Sequence, residues 1–158
     1  MPMTVAALFA EREARRRRDE EANAQLHHRQ QEELAEFRQR LENFQLSEAI
    51  IQSGLDRIRR AFERGESELM FASFPSDFCT DGGRAIINAG TPPINKPTTT
   101  MDEPEWLATL PAGARQVYHY WKKNLQPGGF KFHAQIINYP SGKPGDVGLF
   151  FSWPKDTL

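Results

Sequence analysis

Four things are scarce in this chain of 158 residues. Cys79 is the single cysteine, so an intramolecular disulfide framework is excluded and a reducing, cytoplasmic setting is the expectation. No apolar run approaches the ~18–20 residues that a membrane-crossing helix needs, so no membrane partner is expected. The apolar start, Met1–Ala10, is followed by Glu11 and Glu13 and has no basic residue before it, the wrong order for a secretory signal. Charge of one sign is also missing. The formal net charge is -1, and residues 1–46 hold eight arginines against nine acids. A surface built to bind phosphates carries a clear basic excess, which neither half of the chain has.

The fourth scarcity is local. Between Thr4 and Gln45 there is no glycine and no proline, and Ala, Glu, Arg, Gln and Leu dominate. These residues lose least on entering a helix, so the stretch predicts one long charged helix. Acid-before-base pairs at four-residue spacing support it: Glu11 with Arg15, Glu13 with Arg17, Glu36 with Arg40. Within it, Leu34, Phe37, Leu41 and Phe44 follow the spacing of a heptad seam. The same register continues through Glu48, Ile51, Leu55, Ile58 and Phe62, and fails before Leu34, where Gln30, His27 and Asn23 occupy the seam positions. The residues expected to meet a helical partner are therefore Leu34, Phe37, Leu41, Phe44, Ile51 and Leu55. Ser47 reads as an N-cap, with Leu46 and Ile51 as a hydrophobic staple. This signature favours a break at Ser47 over one continuous helix to Arg64. Gly65 supplies the left-handed cap that ends the helix.

After Gly65 the texture is that of a small mixed domain. Leu69–Phe74 predicts a buried strand, and a short helical stretch reaches Ile86-Ile87, with Gly82-Gly83 unsettling its start. Gly90–Pro104, with four prolines and no periodicity, predicts an exposed, disordered-looking loop. A helix from Pro111 to Gln126 buries Leu110, Ala114, Val117, Trp121 and Leu125, with Tyr118 beside them, and Pro127-Gly128-Gly129 stops it. Phe130–Asn138 and Val147–Trp153 predict a hairpin joined by a wide loop, Tyr139–Asp146. The fold class is thus α+β: a long charged N-terminal helix, partly coiled coil, over residues 1–46. A compact domain follows over residues 47–158, with a roughly three-stranded, mainly antiparallel sheet packed on helices.

Candidate chemistry is thin. The Arg15–Arg18 run wraps around its helix and is flanked by acids, so it reads first as solvated surface and only second as a nucleic-acid contact. His27-His28 point about 100° apart on a helix and cannot share one metal ion as an i, i+4 pair would. A Cys79 thiol paired with His119 or His133 has no flanking motif behind it. The densest polar cluster runs from Asp77 to Arg84. Asp77, Asp81 and Arg84 form a candidate ligand or anion site, because paired carboxylates suit a hard cation and a guanidinium suits an anion. Asp-Gly-Gly equally marks a tight turn, with Asp81 as a cap. Neither a cofactor nor a resident metal is expected. The reading that fits the residues best is a non-enzymatic protein-interaction module, associating with itself or another helix through the Leu34–Phe62 seam. The alternatives are a nucleic-acid accessory protein using the arginine-rich helix, and a small metal-dependent enzyme using Asp77, Asp81 and Arg84.

Overall fold

The glycine- and proline-free stretch forms one helix, α1 (Val5–Asn43), in the computed structural model of the chain, which describes residues 3–89 and 103–156. The expected loop at Gly90–Pro104 lies outside the described residues apart from Glu103 and Pro104. The chain divides into two units, one ending at Arg40 and the other beginning at Leu41. In the first, Thr4 caps the helix, its hydroxyl accepting a bond from the Ala7 amide at 3.1 Å. α1 buries none of its residues, and the part of it in this unit is supported by local pairs. Glu13 pairs with Arg16 at 2.7 Å and with Arg17 at 3.5 Å, and Glu32 pairs with His28 at 2.8 Å. Each such exposed pair contributes only about 0.2–0.5 kcal/mol.

The second unit is α+β. Its elements after α1 are α2 (Glu48–Glu63), β1 (Glu68–Pro75), α3 (Arg84–Ala89), α4 (Ala112–Tyr120), β2 (Lys131–Ile136) and β3 (Asp146–Ser152). The helix breaks between Asn43 and Glu48, with Ser47 as N-cap: its hydroxyl accepts from the Ile50 amide at 3.3 Å. Gly65 adopts φ +82°, and the Glu66 amide bonds back to the Ala61 carbonyl at 3.0 Å, closing α2 as a left-handed glycine cap does. The heptad register of Leu34–Phe62 therefore crosses a non-helical segment after Asn43 and does not continue along one helix.

The sheet is antiparallel throughout, in the order β1-β3-β2, with β3 in the centre. Strand alternation sends Val147, Leu149 and Phe151 of β3 to the same side as Phe132, Ala134 and Ile136 of β2. There they meet α4. Trp106, Tyr118, Trp121 and Phe132 form an aromatic cluster with ring centroids 5.5–5.9 Å apart, in edge-on, stacked and tilted pairs. β1 carries a bulge between Met70 and Ala72. Across it, the Arg57 guanidinium of α2 donates to the carbonyls of Met70 (3.0 Å) and Phe71 (3.1 Å), occupying the outer edge of the strand. The Phe71 ring lies on Gly54 of α2, where an added Cβ would come within 2.9 Å of it.

The sequence predicts an uninterrupted helix from Pro111 to Gln126, and the predicted buried face is the one observed: Leu110, Ala114, Val117, Tyr118, Trp121 and Leu125 are all buried. The helix itself differs. After Tyr120 it widens into a π turn, Trp121–Leu125, and tightens into a 3₁₀ turn, Gln126–Gly128. Pro127 has no amide hydrogen to donate to the Lys123 carbonyl, and its ring would collide with that group in a regular α-helix. Widening the turn before it relieves the conflict. Gly129, at φ +99°, then reverses the chain, and the Trp121 indole donates to the Phe130 carbonyl at 3.0 Å.

The start of α4 is held against the end of α1 within this unit. A Cβ on Gly113 would collide with the Leu41 carbonyl oxygen and lie 2.8 Å from the Phe44 Cβ. Gln116 spans the helix break, donating to the Phe44 carbonyl at 2.7 Å and accepting from the Leu46 amide at 3.0 Å. Gly113→Ala should therefore destabilise the chain by ~1–3 kcal/mol, the usual cost of overpacking, despite alanine's better helix propensity. Urea unfolding of the full chain measures it, and stability equal to or above that of the parent would contradict this close approach.

Candidate functional site

On α2, Leu55, Ile58, Arg59 and Phe62 recur at i, i+3, i+4 and i+7, so they share one stripe. Opposite it lie Leu125, from the π turn, Phe130, presented by the Gly129 reversal, and Trp153, just past β3. Trp153 is fixed twice: its amide donates to the Ser67 carbonyl at 3.0 Å and its indole to the Glu66 carbonyl at 2.9 Å. Its ring meets that of Phe130 edge-on, with centroids 6.1 Å apart. Between these walls runs an open groove of ≈ 520 Å³, apolar except for Arg59 and Asp156. Phe62 remains 63% exposed there, although Ile58, one turn earlier, is buried. A groove of this size and lining matches the general character of binding sites.

The six seam residues fall in both units. Leu34 is 48% exposed on α1, and Phe37 is half-buried on the same helix, with the Arg40 guanidinium 5.9 Å from its ring centre. Leu41 and Phe44 belong to the compact unit and face the start of α4 through Gly113. Ile51 and Leu55 are half-buried among Phe71, Val117, Tyr120 and Phe151 of their own chain. Leu55 also reaches the groove.

In the polar cluster, Asp81 gives both carboxylate oxygens to backbone amides, Oδ1 to Gly83 at 3.0 Å and Oδ2 to Ala85 at 2.9 Å. This is the geometry of a capping turn into α3. Asp77 is exposed in a 3₁₀ turn, Ser76–Phe78, and Arg84 is exposed at the first residue of α3. Among the described residues, His, Cys, Asp and Glu nowhere gather as three or more in a metal-binding group. Cys79 is buried. Its thiol is pushed up to about 11 from an ordinary 9.0, first by burial and then by the charge of Asp81, while a bond with Thr109 acts in the opposite sense. A thiol held protonated in this way is a poor nucleophile. His133 pairs with Glu68 at 3.2 Å and stacks on Phe150 at 4.8 Å, on the outer face of the sheet. In the hairpin loop, Asp146 is tied to Asn138 by two bonds, at 2.8 and 3.0 Å.

In the sequence Phe62 marks only the end of the heptad extension. The groove's other walls come from positions up to a hundred residues away, with no shared local pattern. No described helix is long and apolar enough to cross a membrane. Comparison with protein families, with curated proteins and with solved structures finds no match to this chain.

Asp81→Ala should cost about 1 kcal/mol through loss of the cap. Thermal unfolding measures it, and a variant as stable as the parent would contradict the capping role. The Cys79 shift has a definite sign. The native thiol titrates later than the unfolded one, so its contribution to stability is full below about pH 9 and is lost as pH rises towards 11. Between those pH values the parent chain should lose more stability than Cys79→Ala, as read by urea unfolding at each pH.

Proposed function

We propose that the chain is a non-enzymatic protein-interaction module whose compact unit receives an apolar stripe of a polypeptide partner in the groove around Phe62. One observation carries this reading: a large aromatic side chain left 63% exposed in an apolar groove beside Phe130 and Trp153. Fully burying a phenylalanine side chain is worth ~1.5–3 kcal/mol, so a partner that covers Phe62 gains directly. Trp153 and Arg59 are of the residue types that dominate binding energy at protein interfaces. The long exposed helix α1 fits the same reading as an arm that offers further surface, including Leu34, to a coiled-coil or other helical partner. A lone buried thiol suits a reducing, cytoplasmic setting. The enzyme reading has less behind it, since both oxygens of Asp81 are engaged by amides. Nucleic-acid binding has less too, since Glu13 already pairs with two of the four arginines in the Arg15–Arg18 run.

A photo-crosslinking phenylalanine analogue placed at position 62 in the native cell tests the reading. It should give a discrete crosslinked protein product, and the same analogue at the exposed Met70 on the sheet should not. Equal products from both positions, or none from position 62, would contradict it.

A further inference from the structure

The first turns of α1 carry a second apolar stripe. Val5, Leu8 and Phe9 are 67%, 47% and 55% exposed, and with Arg12 they line one face of the helix. The Arg12 guanidinium lies 4.9 Å from the centre of the Phe9 ring, which keeps the cation on that face. These residues stand at i, i+3, i+4 and i+7, the anchor spacing of helices that seat in hydrophobic grooves. The groove of the compact unit is the converse surface: an apolar floor of Leu55, Phe62, Phe130 and Trp153, with Asp156 and Arg59 among its lining residues. Arg12 closes the stripe as its one charged member, and the groove lining holds a carboxylate of opposite sign, Asp156.

We infer that the occupant of the groove is a second copy of this chain, whose helix start seats Val5, Leu8 and Phe9 against Phe62. The inference rests on the reading of the groove as a polypeptide-binding site and adds the identity of the partner. The two surfaces in such a contact differ, so the interface is head-to-tail. After one such contact, one copy keeps an unused groove and the other an unused tip, and assembly continues into an open chain or closes into a ring. An interface of one short helix in one groove is small, and it belongs to the weak, concentration-dependent class.

Sedimentation velocity of the full-length chain over a range of concentrations tests it. The parent should show species that grow with concentration. Phe9→Asp and Phe62→Asp alter exposed side chains and should each be monomeric, with helical content retained by circular dichroism. Mixed in equal amounts, they should form a dimer and nothing larger, because one intact tip meets one intact groove. A charge exchange gives an independent readout: Arg12→Asp and Asp156→Arg should each weaken assembly several-fold, and their mixture should restore association. A parent that stays monomeric, a Phe62→Asp variant that assembles like the parent, or a mixture of the two aspartate variants that stays monomeric would overturn the inference. A monomeric chain that crosslinks from position 62 to a different protein would overturn it too, while leaving the reading of the groove intact.

Discussion

The compact unit depends on how its chain turns the corner between α1 and α2. Four residues, Phe44–Ser47, leave the helix there, and unpaired amides and carbonyls at such a break are costly when water is excluded. The Gln116 side chain resolves this with one amide group, bonding the Phe44 carbonyl and the Leu46 amide together. Gly113 lets the backbone of α4 approach close enough for that to happen. Once α4 is seated on this corner, Ser47 can start α2 in a fixed direction. The stripe Leu55–Phe62 then comes to lie opposite Leu125 at the far end of the α4 segment, and the groove is a consequence of the corner.

The rest of the unit shows why the groove stands out. The apolar side chains of α4 and of the inner sheet face meet in an aromatic cluster that leaves most of them buried. The outer edge of β1, a place where unpaired strands invite aggregation, is bulged and covered by the Arg57 guanidinium. Asp81 and Asn138 each tie down a turn with their own side chains. Against this pattern of satisfied groups, Phe62 is left in the open beside Phe130 and Trp153. The π turn contributes as well, since Pro127 sets the widened geometry from which Leu125 faces Ile58 and Phe62 across the groove.

Much of the fold was legible because it is written in local periodicity. Phe130–Asn138 alternates, Leu69–Phe74 is a short apolar run, the face Leu110–Leu125 repeats at helical spacing, and Ser47 and Gly65 have the chemistry that caps require. The widening after Tyr120 was not legible, because one proline can end, kink or widen a helix and neighbours decide which. Heptad spacing marked Leu41, Phe44, Ile51 and Leu55 as an apolar face. It carried no information about what covers that face, and here much of the cover comes from the same chain. Asp81 was readable both as ligand and as cap, since a carboxylate serves either, and the amides of Gly83 and Ala85 engage both its oxygens. The groove was the least visible feature. Phe62, Leu125, Phe130 and Trp153 share no motif, and only the tertiary fold brings them together.

Amide hydrogen exchange tests the central claim most directly: the chain isolated gently from its native cell is compared with the purified chain at high dilution. If a polypeptide occupies the groove, exchange should slow at the end of α2 around Ile58–Phe62, at Leu125–Phe130 and at Trp153–Lys155. Unchanged exchange in these three segments, with slowing confined to other parts of the chain, would contradict the account.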